Sequence, residues 1–113
     1  MIPSQMLKGV LEAAILKIID NEETYAYLIS QKLEEYGFGQ ISEGTIYPII
    51  LRLQKNKYII GKSRPSPSGP KRKYYNLTDE GKIYLNEFKE NWSKLNEAFY
   101  KLFTENDKEE NNE

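Results

Sequence analysis

Residues 42–56 read SEGTIYPIILRLQKN. Its apolar side chains recur at intervals of three and four residues, at Ile46, Ile49, Ile50 and Leu53. This spacing predicts a helix with one buried face. Ser42 is a residue type that caps helix N-termini, and the helix is predicted to end near Asn56. Pro48 falls in its second turn and removes one backbone hydrogen bond, so we expect a slight bend.

Two more helices are predicted before this segment. The first covers residues 4–20, with Ser4 as a candidate cap, and its apolar positions are Leu7, Val10, Leu11, Ala14, Ile15, Ile18 and Ile19. The second begins at Thr24, a candidate N-cap, and runs to Tyr36 before Gly37-Phe38-Gly39 ends it. A short link separates it from residues 42–56. The second of these helices and the helix at 42–56 therefore form a predicted helix–turn–helix.

A β-hairpin is predicted next. Residues 58–64 and 72–77 are rich in strand-forming side chains, and the Pro/Ser/Gly-rich residues 65–70 between them suit neither a regular strand nor a helix. Alternation along the second strand places Arg72 and Tyr74 on one side and Lys73 and Tyr75 on the other. A helix–turn–helix followed by a hairpin is the winged-helix arrangement, in which the second helix of the pair enters the DNA major groove.

A long last helix is predicted from Thr78 to about Phe103, at residues 78–103. It carries a heptad-like stripe, composed of Leu85, Phe88, Trp92, Leu95, Phe99 and Leu102. The stripe could pack on the domain's own core or pair with a second subunit. A helix of about 25 residues is roughly 38 Å long, more than a domain of this size needs, so we favour a homodimer.

The predicted fold class is mainly α with one small β-hairpin. The predicted divisions are a winged helix–turn–helix domain at 1–77, a dimerisation helix at 78–104 and a disordered acidic tail at 105–113. With 39% hydrophobic and 29% charged residues, the 113-residue chain has the composition of a globular protein.

Composition also excludes most enzyme chemistry. The chain contains no Cys and no His, so we expect no catalytic residues, no metal and no cofactor. The acid pairs Glu22-Glu23 and Glu34-Glu35 fit solvated helix faces better than a catalytic site. No apolar run is long enough to span a membrane, and residues 1–8 do not resemble a signal peptide, so we expect a cytoplasmic protein.

The net charge of −1 conceals a strong asymmetry along the chain. Residues 44–78 carry 8 basic side chains and no acidic one, whereas residues 1–43 sum to −4 and residues 105–113 to −4. The basic segment covers both the helix at 42–56 and the hairpin. Because binding to nucleic acid depends on the local field, this pattern predicts double-stranded DNA as a partner.

The candidate DNA-binding residues lie in or beside these elements. They are Gln5, Lys8, Ser42, Thr45, Tyr47, Pro48, Arg52, Lys62, Arg64, Lys71, Arg72 and Lys73. Hydroxyls near a helix N-terminus can bind phosphate, and arginine can bind phosphate or a guanine edge. Several have a structural alternative: Ser42 as a cap, Tyr47 packed under the hairpin, Pro48 setting a bend, Arg52 in an internal ion pair. Gln5 and Lys8 could simply be solvated.

Two motifs resemble those of PadR-type transcriptional regulators. Residues 44–53, GTIYPIILRL, are similar to the family's "GTLYPxLxRL", and residues 69–81 are similar to its wing, "GxxRKYYxLTxxG". The resemblance covers about residues 5–103. It implies a dimeric winged-helix repressor that binds a palindromic operator. Ala26 and Lys57 depart from the family pattern, which usually has Gly at the first position and often at the second.

The single helix after the wing resembles the smaller subfamily, which includes the lactococcal multidrug-sensing regulator. That resemblance implies that a planar aromatic drug or phenolic molecule relieves repression by binding between subunits. Trp92 lies in the middle of the stripe and is bulky for a tightly packed interface. The candidate ligand-binding residues are Phe88, Asn91, Trp92 and Leu95. The alternatives are a DNA-binding regulator without a ligand and a protein-interaction module that uses the stripe alone.

Overall fold

The computed structural model describes residues 2–111, and the side chains of residues 2–105. As predicted, the fold is mostly helical, with one two-stranded antiparallel hairpin and a long C-terminal helix. In chain order the elements are α1 (Ser4–Leu7), α2 (Leu11–Asn21), α3 (Ala26–Glu35), α4 (Glu43–Lys55), β1 (Ile59–Pro65), β2 (Lys71–Leu77) and α5 (Asp79–Asn111).

The core lies where α2, α3 and α4 pack together under the base of the hairpin. Its fully buried side chains are Ile15, Leu16, Ile29, Leu33, Ile46, Ile50, Leu53 and Ile59. All the buried positions predicted for the helix at 42–56 are buried in α4. This packing holds α3 and α4 as the expected helix–turn–helix.

The prediction of one continuous helix over residues 4–20 is wrong, because the structure has two helices there. Residues 8–10 form a turn between α1 and α2, with the Val10 amide donating to the Leu7 carbonyl at 3.0 Å. Gly9 lies in the turn, where its low helix propensity favours the break. Ser4 is also not the cap that we expected: Pro3 takes the N-cap position and provides no side-chain hydrogen bond.

Thr24 is part of the sheet rather than a helix cap. Its amide and carbonyl both pair with Tyr75 of β2, at 3.4 and 2.8 Å, and α3 instead begins after Tyr25. The local sequence predicted a cap because threonine is common there. The pairing with β2, a segment far along the chain, holds Thr24 in an extended conformation.

The wing is β1, β2 and the connecting residues 66–70. The predicted strands are confirmed to within one residue, and the register pairs Arg64 with Arg72, Ser63 with Lys73 and Pro65 with Lys71. Pro65 was expected in the loop but ends β1, a position where the missing amide is tolerated. Arg72 and Lys73 lie on opposite faces of the hairpin, as their alternation predicted.

The predicted caps of α4 and α5 are confirmed. Ser42 Oγ accepts a hydrogen bond from the Thr45 amide at 3.3 Å, and Thr78 Oγ1 accepts one from the Gly81 amide at 3.0 Å. Thr78 Oγ1 also donates to the Lys57 carbonyl at 2.6 Å, which ties the start of α5 to the end of α4.

The predicted end of the last helix is wrong. α5 continues through Asn111 rather than stopping near Phe103, so residues 105–111 are helical where we expected disorder. Residues 112 and 113 of the predicted tail lie outside the described part. The sequence contains no glycine or proline after Gly81, and its Glu, Lys and Asn residues do not force a stop. Acidic composition alone misled the prediction.

Candidate nucleic-acid interface

The exposed face of α4 lies opposite its buried stripe. It presents Gly44, Thr45, Tyr47, Pro48, Leu51, Arg52 and Lys55. Tyr47 is 49% exposed and Leu51 is 65% exposed. The predicted candidates Thr45, Tyr47, Pro48 and Arg52 therefore share one accessible surface with Ser42 at its N-terminal end.

Ser42 and Thr45 form a hydroxyl pair at the start of α4. Their oxygens lie 3.2 Å apart, and Ser42 already accepts the Thr45 amide. Both side chains are exposed. The structural alternative for Ser42, capping, is thus real, and the exposed hydroxyls can in addition donate to an anion at the positive end of the helix dipole.

The wing groove is the open space between the wing, the start of α3 and the first turns of α4. It has a volume of about 420 Å³, and its lining includes Tyr47 of α4, Ser66 and Ser68 of the loop, and Lys71 and Lys73 of β2. Lys71 and Lys73 share the hairpin face that carries buried Tyr75. The two lysines and Tyr47 therefore border one concave, cationic surface.

Arg64 lies on the other face of the hairpin and is engaged within the protein. Its guanidinium makes a bidentate ion pair with Glu23; the Nη2–Oε2 distance is 2.9 Å, and Nη1 bonds to Oε1. Asn76 donates to the same carboxylate at 2.6 Å. The Asn76 hydrogen bond is the main cause that lowers the pKa of Glu23, and Arg64 adds to it.

Arg72 is held by aromatic rings on the same face as Arg64. Its guanidinium carbon lies 4.0 Å from the centroid of the Tyr25 ring, which meets Tyr74 edge-on with centroids 5.4 Å apart. Such a cation–π contact fixes the position of the guanidinium. Lys62, paired with Tyr74 in the register, is exposed beside this cluster.

Gln5 and Lys8 are exposed at the opposite edge of α4 from the wing. They line a second open groove, of about 510 Å³, together with Ser42 and Thr45. The structure thus brings the N-terminal candidates to the start of α4, although the helix that carries them is only the short α1.

Some relevant residues were missed by sequence reasoning. Leu51 and Lys55 lie on the outer face of α4, and a helical projection of residues 42–56 shows that face. Glu23 and Tyr25 were not linked to the wing, because their contacts with Arg64 and Arg72 join distant segments. Local patterns contain no signal for such pairs.

A second accessible surface runs along α5. Leu85 packs partly against the core, and Phe88 is half-buried. The later members of the predicted stripe are exposed: Trp92 at 42%, Leu95 at 49%, Phe99 at 49% and Leu102 at 55%. The stripe therefore does not pack back onto its own domain beyond its first turns.

An apolar cleft of about 420 Å³ lies between α2 and α5. Its lining includes Val10, Ala14, Phe38, Leu85, Phe88 and Trp92. The Phe88 and Trp92 rings are nearly parallel, with centroids 6.1 Å apart. Of the four predicted ligand residues, Phe88 and Trp92 border this cleft, whereas Asn91 and Leu95 are not in its lining.

Two other kinds of site are absent from the described part of the chain. No helix there is long and apolar enough to cross a membrane. Among the described side chains, those of residues 2–105, the acidic groups do not cluster in a way that would hold a metal ion.

Known proteins with the same architecture are transcriptional regulators. A crystallised PadR-like transcriptional regulator of Bacillus cereus is 52% identical, with a TM-score of 0.80 over 88% of this chain and 96% of its own. A Streptococcus transcriptional regulator is 44% identical, with a TM-score of 0.78 over 87% of this chain and 96% of its own.

A more distant structure includes DNA. Bacillus subtilis PadR, solved in complex with operator DNA, is 28% identical, with a TM-score of 0.64 over 70% of this chain and 46% of its own. The family model described as the transcriptional regulator PadR-like family matches residues 15–87, which include α3, α4 and the wing. The chain therefore belongs to the PadR-like family, whose members are transcriptional regulators and not enzymes.

Proposed function

We propose that this chain binds double-stranded DNA as a homodimer and represses transcription from a palindromic operator. One observation carries the proposal: the exposed face of α4 and the wing lysines Lys71 and Lys73 border the same groove. In a winged helix, α4 would enter the major groove while the wing contacts the adjacent backbone. The Bacillus subtilis relative solved in complex with operator DNA supports DNA as the partner.

The distribution of charge supports the same surface. Residues 44–78 contain 8 cations and no acid, but Arg64 is paired with Glu23. Within the described side chains, the ion pairs do not include Lys71, Lys73 or Arg52. These cations are available to phosphates, so we assign them the larger part of the non-specific attraction to DNA.

The exposed stripe of α5 supports the homodimer. Pairing Trp92, Leu95, Phe99 and Leu102 with their copies would bury side chains that are about half exposed in one chain. Two wings held in this way would meet half-sites about one helical turn, roughly 34 Å, apart. We propose repression as the role, because the resemblance to this family favours it. We also propose that the protein is cytoplasmic.

Fluorescence anisotropy with DNA from upstream of the protein's own gene tests the proposal. We expect specific binding with a nanomolar Kd and an affinity that falls steeply as salt rises, because counterions are released from neutralised phosphates. An unrelated duplex of equal length is the control. The absence of binding to either duplex at low salt would contradict a DNA-binding function and favour a protein-interaction module.

A second candidate function is sensing a planar aromatic molecule, as in the multidrug-sensing subfamily. The observation that favours it is the apolar cleft at Phe88 and Trp92, whose open end would meet a second subunit. A flat molecule could stack on the Trp92 indole there. Relief of repression requires that it bind the free and DNA-bound arrangements with different affinities.

Titration of tryptophan fluorescence with planar cationic dyes tests the ligand proposal, because Trp92 is the only tryptophan in the chain. We expect quenching, together with release of bound DNA. In Trp92→Leu, which has no tryptophan left to report on, the dyes should no longer release DNA. A panel without quenching would contradict a general drug site. DNA binding that ignores every quenching dye would leave a regulator without ligand control.

A further inference from the structure

The middle of the exposed face of α4 is apolar rather than hydrogen-bonding. Leu51 is 65% exposed there, and Pro48 lies one turn before it. A single exposed leucine is ordinary on a protein surface, so its position matters more than its exposure. On this face Leu51 lies between Tyr47, which borders the wing groove, and Arg52. Arg52 follows Thr45 by two turns, and Thr45 borders the groove on the α1 side of α4.

The side chains that usually identify adenine are not available on this face. Asn and Gln bind adenine through two hydrogen bonds, but the one carboxamide within α4 is Gln54. Gln54 is half-buried at the base of the wing, where its Nε2 atom lies 3.1 Å from the position that a Cβ on Gly61 would occupy. A methyl-sized apolar contact is what Leu51 offers in place of hydrogen bonds.

Thymine alone presents a methyl group in the major groove, and apolar side chains recognise it by contact. We propose that Leu51 selects a thymine in each half-site by packing against its 5-methyl group, an inference that rests on the proposed function. Arg52 and Lys55 beside it would bind phosphate or guanine, and Leu51 would supply the discrimination for a T·A pair.

Duplexes are first selected from a randomised library, and each selected sequence is then made twice, once with dTTP and once with dUTP. The two versions test this inference, because uracil differs from thymine only in lacking the methyl group. Burial of one methyl contributes about 0.8 kcal/mol, or roughly fourfold in Kd, and two half-sites give about 15-fold. We expect the wild-type protein to bind the thymine duplex tighter by about this ratio. In Leu51→Ala the ratio should fall towards 1, and Leu51→Met should keep most of it.

Ile60→Ala is the matched control, since Ile60 is 49% exposed on β1 and alternates with buried Ile59, so it points to the other face of the hairpin. It should keep the wild-type ratio. Thermal unfolding checks that Leu51→Ala is folded, which its exposure predicts. Equal binding of thymine and uracil duplexes, or an undiminished ratio in Leu51→Ala, would overturn this inference alone. Failure to select any duplex would overturn the proposed function and this inference with it.

Discussion

At the scale of single residues, Lys57 adopts a backbone conformation that glycine favours. Its φ of 63° closes the C-terminus of α4, where the Tyr58 amide donates to the Leu53 carbonyl at 2.9 Å and the Lys57 amide to Gln54 at 3.0 Å. This is a Schellman motif, in which a left-handed residue follows the helix. The family pattern that residues 44–53 resemble often has glycine at this position.

Lys57→Gly should therefore raise the free energy of unfolding by about 0.5–1 kcal/mol. A left-handed lysine costs roughly 1–2 kcal/mol, and part of the gain is offset by the greater backbone entropy of unfolded glycine. Urea denaturation measures the change. Lys17→Gly, inside α2, is the control and should destabilise by about 1 kcal/mol. Destabilisation of both variants alike would contradict this interpretation of Lys57.

At the scale of elements, the wing is attached to the helical core by contacts on both of its faces. On one face Ile59 and Tyr75 are buried against the core. On the other, Glu23 joins Arg64 and Asn76. The Glu23 contacts stabilise the position of the hairpin relative to α3, so they indirectly set how Lys71 and Lys73 face α4.

Glu23→Gln should lower the melting temperature at pH 7, because it removes the charge that Arg64 binds. The pKa of Glu23 is lowered in the folded protein, so its contribution is present above the ordinary glutamate pKa and is lost as pH falls through the lower, folded value. The difference between wild type and variant should therefore shrink on acidification. Glu34→Gln, an exposed acid on α3, is the control. A difference in melting temperature that stays constant as pH falls below the pKa of folded Glu23 would contradict a stabilising role of its charge.

Elements were predictable where the signal is local. The buried stripe of α4, the caps Ser42 and Thr78, and the alternation of β2 all follow from residues close in sequence. The role of Thr24 in the sheet and the pairing of Arg64 with Glu23 could not be predicted, since each joins segments about 40–50 residues apart. For that reason Arg64 was a DNA candidate on charge alone.

At the scale of the whole molecule, α5 gives the chain its shape. The described residues measure 66 × 29 × 20 Å, and α5 alone, with 33 residues, is about 50 Å long. Most of its exposed apolar side chains lie beyond the core, from Trp92 to Phe103. A homodimer formed along this helix would set the distance between two DNA-binding surfaces.

Phe99→Glu should convert the proposed dimer to monomer, because two carboxylates would face each other across the two-fold axis without a partner. Analytical ultracentrifugation measures the mass. Ser93→Glu is the control, since Ser93 is exposed on the side of α5 away from the stripe. DNA affinity should fall in Phe99→Glu only. A wild-type protein that is monomeric at micromolar concentration would contradict the dimer.

The central claim is that DNA binds the surface bordered by α4 and the wing, and the salt dependence of binding in Lys71→Ala/Lys73→Ala tests it most directly. Kobs is the observed association constant, and log Kobs falls linearly with log salt. Each lost phosphate contact makes this slope less steep by about 0.9, so a dimer that loses four contacts should have a slope less steep by roughly 2–4. Lys17→Ala/Lys101→Ala, two exposed lysines elsewhere, removes the same charge and should keep the wild-type slope to within about 1. Equal slopes for the wing variant and the wild type would contradict the account.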